Sequence, residues 1–396
     1  MYSAPLTGCM IKHQGPRHEV AKVIDAFLKD YQERYKPNTY IIRTLRAIQR
    51  CRTSALGGHI DQCKACGHIR ISYNSCRNRH CPQCQNTNRE AWIESRMQDL
   101  LPVPYFHVVF TVPDNLNPLF MHKPAAMYNL LFKSVWETIN QFFITQRSCE
   151  GGMIGVLHSW GQTLTLHPHI HCIIPSGGID YRGKWRGIKK SQTGKSFLFR
   201  VENLSAVFRG KFIAGLKQYI PGEKELIDQV YKTEWVVYAK EPFVGPEQVI
   251  EYLGRYTHKV AISNHRLKAI TKEHVEFSYR DYRDQQVKVM KLDGIEFLRR
   301  FSHHILPKGY VRIRHYGILS STRRKELRQL QQYFGINSPE KKIKKDWKQL
   351  CREHLGYDPD LCPCCGKAEM VTIISWLPGR APPFPPVLNP QVAISK

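Results

Sequence analysis

Leu166-His167-Pro168-His169-Ile170-His171-Cys172-Ile173-Ile174 places three histidines on alternate positions of a short apolar run. Alternate residues of a strand share one face of a sheet. The three imidazoles therefore point one way, and Ile170, Cys172 and Ile174 take the opposite, buried face. A row of parallel imidazoles is a natural seat for a divalent metal.

The segments around this run set the fold class. Tyr105-Phe106-His107-Val108-Val109-Phe110-Thr111-Val112 is β-rich and stops at the turn Pro113-Asp114-Asn115. Helical spacing returns from Lys123 to about Ile144, and a strand pair covers Gly155 to Ile174. Strands mixed with helices, without regular βαβ alternation, predict an α+β domain with an antiparallel sheet. Earlier, Val20, Val23, Ile24, Phe27 and Leu28 recur at helical spacing. Pro37-Asn38 breaks that pattern, and Thr39 is expected to cap a second short helix through Ile48.

Fifty-nine Lys and Arg against thirty-three Asp and Glu give a formal charge of +26 over 396 residues. The excess runs along the whole chain, which suits a phosphate-binding surface rather than a basic tail. A hydrophobic content of 42 % supports packed cores in two or three domains. No run of eighteen apolar residues occurs, and Met1 to Gly15 holds no apolar stretch ending in a cleavage site. The expected location is the cytoplasm, associated with the nucleoid and not with a membrane.

The thirteen cysteines gather in CxxC pairs, which in a reducing compartment points to metal rather than disulfides. Cys63-Lys64-Ala65-Cys66 and Cys81-Pro82-Gln83-Cys84 are separated by fourteen residues, close to the spacing of a four-cysteine zinc site. Cys63, Cys66, Cys81 and Cys84 are thus the expected ligands of a structural Zn²⁺. Cys76, His80, Cys51 and His59 are alternates that could replace a member or build a second site. Near the other end, Cys362-Pro363-Cys364-Cys365-Gly366 forms a further knuckle, which Cys351 and His354 would complete.

A helix is expected after Gly245, where Pro246 and Glu247 favour a first turn. Val249, Ile250, Leu253 and Val260 make its apolar stripe, and Tyr252, Tyr256 and Lys259 share another face. A phenol has a pKa of about 10, so as a nucleophile it needs a nearby cation to favour phenolate.

His169-Ile170-His171, joined to two tyrosines on one helix, resembles the HUH nuclease superfamily in its two-tyrosine branch, the rolling-circle insertion-sequence transposases. The resemblance runs over roughly residues 17–366. It includes Tyr73-Asn74-Ser75-Cys76-Arg77-Asn78-Arg79-His80-Cys81-Pro82 and the stretch from Phe301 to Gly317. It implies an HUH core with a central antiparallel sheet flanked by helices, and Mg²⁺ or Mn²⁺ on His169 and His171. The third ligand is open between His167, which Pro168 could withdraw by bending the strand, and Gln248. Tyr252 and Tyr256 would attack DNA phosphodiesters with help from Lys259, leaving a 5′-phosphotyrosine and a free 3′-hydroxyl. The amino-terminal zinc-binding domain would recognise DNA.

The partners so implied are single-stranded and hairpin DNA at element ends, and target DNA. Host replication or helicase factors join them, because no Walker or helicase motif occurs. Tyr256-Thr257-His258-Lys259 is also similar to the tyrosine-x-x-lysine pattern of rolling-circle replication initiators, so a plasmid or phage initiator is the alternative reading. A second alternative is a non-enzymatic zinc-dependent DNA-binding regulator.

Cations interleaved with aromatics suit single-stranded DNA. Arg77 and Arg79, then Lys184, Arg186, Lys189 and Lys190 around Trp185, then Arg312 and Arg314 between Tyr310 and Tyr316, are the expected contacts. The expected organisation is a helical segment at 1–50, a zinc-binding domain at 51–98 and the nuclease domain at 99–320. A basic helical region follows at 321–396, ending in a flexible proline-rich tail.

Overall fold

The computed structural model describes residues 18–187, 198–240, 243, 248–249, 254, 259–336, 346–354, 356–367 and 369–379, with the backbone alone at 85–88. The chain opens with α1 (Val20–Tyr35) and α2 (Thr39–Gln49). The cap of α2 is Asn38 and not Thr39: Asn38 Oδ1 accepts the Ile41 N–H at 3.0 Å, satisfying a donor of the first turn. A hairpin of β1 (Gly58–Cys63) and β2 (Ile69–Tyr73) leads through α3 (Gln85–Met97) to β3 (Tyr105–Thr111). Helices α4 (Asn117–His122) and α5 (Pro124–Arg147) precede β4 (Gly152–Trp160) and β5 (Leu166–Pro175). A small hairpin, β6 (Gly177–Ile179) with β7 (Trp185–Gly187), is followed by α6 (Val201–Tyr219), α7 (Lys224–Lys232) and β8 (Val237–Ala239). Then come β9 (Leu267–Ile270), β10 (His274–Arg280), β11 (Val287–Asp293) and α8 (Gly294–His303). The chain continues through β12 (Ile313–Gly317), α9 (Arg324–Tyr333), α10 (Trp347–His354) and β13 (Met370–Trp376).

The histidine run is β5, the middle strand of a five-stranded antiparallel sheet ordered β12-β4-β5-β3-β8. As its alternation requires, Ile170, Cys172 and Ile174 are fully buried on one face, in a core shared with Phe132 and Phe143 of α5 and Phe208 and Phe212 of α6. Each such ring contributes roughly 1.5–3 kcal/mol by leaving water. This apolar half fixes the register, since a slip of one residue would turn every histidine into the core. The α+β class and the antiparallel sheet follow from the same pattern.

The helices before residue 50 do not stand apart. Val23, Ile24 and Phe27 of α1 pack with Phe277 of β10 and with Phe297 and Leu298 of α8, covering the three-stranded sheet β11-β10-β9. A Cβ at Gly294 would lie 2.2 Å from the Phe27 ring, so only glycine lets α8 begin there. Asp293 caps that helix through the Ile295 and Glu296 N–H groups.

The third layer joins both ends of the chain. β13 pairs antiparallel with β1, from Gly58↔Trp376 to Cys63↔Met370, giving the sheet β13-β1-β2, and α10 lies against α3. Of the basic stretch after Ser321, α9 and α10 are helical as expected, whereas Lys341, Lys342, Lys344 and Lys345 lie outside the described residues. Among the described residues no helix is long and apolar enough to cross a membrane.

Candidate functional site

Strand register builds a histidine face on the side of the sheet opposite α5 and α6. His169 is opposite His158 of β4, and His171 is opposite Val156 of β4 and Val109 of β3. His107, two residues before Val109, lies on the same face. The ligand-capable nitrogens of His158, His169 and His171 all fall within 4.8 Å of one another. His169 Nδ1 donates to the His167 carbonyl at 2.7 Å, leaving Nε2 for a ligand. His171 Nδ1 lies 2.9 Å from His107 Nε2, with the two rings edge to edge and within 11° of coplanar. His158 is held flat against Trp160, ring centroids 4.7 Å apart.

His167 is not part of the group. Trp160 pairs with Leu166 while His158 pairs with His169, so β5 carries an extra residue at Pro168. That bulge turns His167 outward, its side chain 42 % exposed and Nδ1 3.7 Å from the Asp114 carboxylate. Gln248 is exposed. The third imidazole that groups with those of His169 and His171 is that of His158. A plain count back across the Gly161–Thr165 turn sets His158 opposite Pro168, and the extra residue in β5 is what brings it opposite His169.

Burial, seconded by the neighbouring imidazoles and then by Lys259, drives the His171 pKa well below its ordinary value. Burial likewise lowers His169 to about 4 and His107 to about 3. These rings are neutral at pH 7, which is the form that offers a lone pair. Three imidazole nitrogens with no carboxylate among them suit a transition-metal ion better than a hard ion such as Mg²⁺.

Tyr252 and Tyr256 lie outside the described residues. The described residues that flank them meet the histidine face. Val249 is fully buried in a core with Tyr105, Ile154, Val156 and Ile173, all on that side of the sheet. The Lys259 ammonium is close enough to depress the pKa of both His169 and His171. Between them, a Cβ at Gly254 would sit 2.3 Å from Ile93 Cδ1 on α3.

The cysteines form two groups, each with a membership different from the one expected. Cys51, Cys76, Cys81 and Cys84 bring their sulfurs within 4.8 Å, Cys84 being 3.5 Å from Cys51 and 3.6 Å from Cys76. Cys63 and Cys66 stand instead with Cys362 and Cys365. The hairpin length explains the split. Cys51 and Cys76 flank its open end, Cys63 and Cys66 its turn, and a strand of about six residues spans roughly 20 Å. The two knuckles of the expected site therefore cannot share an ion.

Neither alternate histidine joins a group. His59 is 3.5 Å from Asp61, and His80 is buried with its N–H on Asn78, its pKa lowered to about 3 by burial and Arg79. Cys351 donates to the Tyr357 hydroxyl at 3.3 Å, and His354 lies 3.5 Å from Glu94. Pairing of β13 with β1 has put Cys63 and Cys66 where these two were expected.

Two expected DNA contacts are spent inside the protein. Arg79 donates to the carbonyls of Pro307 and Tyr310, and Arg312 is buried with Nη1 3.2 Å from the Lys259 carbonyl. Burial and Arg79 lower the Arg312 pKa to about 10. Arg314 stacks over Phe132 and bonds Asn129, and Arg186 pairs with Asp180 at 2.9 Å. Arg77 and Lys184 are exposed, whereas Lys189 and Lys190 lie outside the described residues.

The family described as "Putative transposase" matches residues 152–326, and the family described as "Transposase zinc-binding domain" matches residues 23–112. The chain is 40 % identical over 382 residues to "Putative transposase y4qJ" of Sinorhizobium fredii (strain NBRC 101917 / NGR234), covering 90 % of this chain and 94 % of that one. It is 27 % identical over 344 residues to "Transposase for insertion sequence element IS801" of Pseudomonas savastanoi pv. phaseolicola, covering 83 % and 82 %. No solved structure matches.

Proposed function

The chain belongs to the IS91-family transposases, rolling-circle enzymes with an amino-terminal zinc-binding domain, and from that premise we propose that it cuts and rejoins single-stranded DNA at element ends through 5′-phosphotyrosine intermediates. The supporting observation is the convergence of His158, His169 and His171 on one sheet face, within the field of Lys259.

His158, His169 and His171 hold a divalent ion, Mn²⁺ or Mg²⁺, which when bound neutralises the scissile phosphate. Tyr252 and Tyr256 are the nucleophiles. The phenol oxygen of one loses its proton and bonds to phosphorus, while the DNA 3′ oxygen leaves and takes up a proton. Lys259 favours the phenolate by its charge. The reverse attack by a 3′-hydroxyl rejoins the strand, so the phosphodiester energy is kept and no nucleotide is consumed. Two tyrosines allow one end to be held while a second is cut. Hairpin DNA at the ends, target DNA and host unwinding factors are the accompanying partners. Cys51, Cys76, Cys81 and Cys84 hold a structural zinc that braces the segment carrying the exposed Arg77.

The test is a denaturing-gel assay with single-stranded oligonucleotides from both flanks of the gene, in Mn²⁺ or Mg²⁺. An adduct at a DNA 5′ end, lost with chelator and in the Tyr252→Phe/Tyr256→Phe double variant, is expected. An adduct that persists in the double variant overturns the nucleophile assignment.

A further inference from the structure

We propose that Cys63, Cys66, Cys362 and Cys365 form a second zinc site that clasps the end of the chain onto the amino-terminal zinc-binding domain. The two halves are the same local device, 296 residues apart. In Cys63-Lys64-Ala65-Cys66-Gly67, the Gly67 N–H donates to the Cys63 carbonyl at 3.1 Å; in Cys362-Pro363-Cys364-Cys365-Gly366, the Gly366 N–H donates to the Cys362 carbonyl at 2.9 Å. Both glycines are left-handed, at φ +67° and +65°, where a side chain would be strained. In each half the first sulfur accepts backbone N–H groups of its own turn. Ala65 and Cys66 donate to Cys63 at 3.4 and 3.5 Å, and Cys364 donates to Cys362 at 3.4 Å. Such bonds favour thiolate over thiol and fix the direction of the lone pairs.

The two turns face each other. Cys63 Sγ is 3.7 Å from Cys365 Sγ, Cys66 Sγ is 3.6 Å from Cys362 Sγ, and all four lie within 4.8 Å. A zinc–sulfur bond of about 2.3 Å gives a tetrahedron with edges of about 3.8 Å. The sulfurs are already arranged as its corners, and their separations are well beyond the roughly 2.05 Å of a disulfide. Zinc is the ion that a closed four-thiolate site selects, and with no position left for substrate the site is structural.

The surrounding contacts show what the ion would fasten. Lys64 N–H donates to the Glu369 carbonyl, and the Lys64 ammonium pairs with the Glu369 carboxylate at 3.0 Å. Buried Asp61 of β1 takes Arg70 of β2 at 3.0 Å and Thr372 of β13 at 2.8 Å. The amino-terminal domain is therefore finished by residues 346–379, and the clasp makes its stability depend on them.

The test uses the full chain and reads zinc, not DNA cleavage. Native mass spectrometry is expected to count two zinc ions per chain, and Cys362→Ser/Cys365→Ser to keep one. In wild-type protein under graded chelation, N-ethylmaleimide is expected to modify Cys63, Cys66, Cys362 and Cys365 together, as a set distinct from Cys51, Cys76, Cys81 and Cys84. Two zinc ions retained by the serine variant would overturn the proposal. So would modification of Cys362 and Cys365 while Cys63 and Cys66 stay protected. Should the variant lose both ions through misfolding, the wild-type modification pattern alone decides.

Discussion

His107 Nε2 stands 2.9 Å from His171 Nδ1, on the buried histidine face of the sheet. Two neutral imidazoles in this contact share one proton. Only when His171 donates from Nδ1 does its Nε2 keep a lone pair for an ion, so His107 must accept and carry its own proton on Nδ1. In the proposed site His107 would thus select the tautomer of His171 that binds metal. His107→Phe is expected to weaken Mn²⁺ binding by about 10–100-fold, and His107→Gln, which can still accept, by less. Isothermal titration of the two variants checks this. Equal affinity in wild type and His107→Phe would remove the role.

The bulge at Pro168 leaves His167 outside the proposed metal site and His158 inside it. His158→Ala is expected to lose Mn²⁺-dependent DNA adduct by more than about 100-fold, because a ligand is lost rather than a supporting bond. His167→Ala is expected to leave it within about twofold. The comparison of adduct yields at saturating DNA decides, and the reverse order would exchange the two residues in the site.

Gly254 lies between the two tyrosines in sequence and faces α3 closely. A valine there pushes on Ile93 and is expected to destabilise by about 1–3 kcal/mol through overpacking. Ile93→Ala should recover most of that loss, since it removes the atoms 2.3 and 3.0 Å from the new Cβ. Thermal unfolding of the single and double variants gives the coupling energy. Strict additivity would mean that the two residues do not meet.

Acid should loosen the fold through its enclosed histidines. His304 is bonded to Ser159 and to the Leu164 carbonyl, and burial lowers its pKa to about 3, as it does for His80 and His107. A folded pKa below the unfolded value of about 6.5 means that the unfolded chain binds more protons between the two. Stability from these groups is therefore complete above about pH 6.5 and is lost as pH falls toward about 3. For metal-free protein, the urea midpoint is expected to drop between pH 6.5 and 4.5. Unfolding there should take up several protons, and His304→Gln should reduce the uptake by about one. An unchanged midpoint over that range contradicts the assignment.

How much of this was legible in the sequence depends on the distance over which each feature is specified. The alternation in β5 is local, so the buried Ile170, Cys172 and Ile174 and the opposed histidines could be read directly. His158 needed the bulge in β5 as well as the turn, because the turn count alone sets it opposite Pro168. His107 needed the pairing of β3 with β5 across more than sixty residues, for which the sequence carries no counting rule. The cysteines misled for a related reason: spacing along the chain joined Cys63 and Cys66 with Cys81 and Cys84, whereas the length of the β1–β2 hairpin keeps these pairs apart. Arg79 and Arg312 look like surface cations in composition, and only the tertiary fold turns them onto carbonyls.

The pairing of β1 with β13 also sets an order in time. At a synthesis rate of about 5–20 residues per second, Trp376 leaves the ribosome roughly 15–60 s after Cys63. Through that interval β1 has only β2 beside it, and its other edge is unpaired. A polypeptide interrupted after the histidine strand would carry that strand and every cysteine of the first group, yet never close this sheet. Translation to the far end is thus a condition of assembly, and incomplete products are marked by an open edge that proteases and chaperones can recognise.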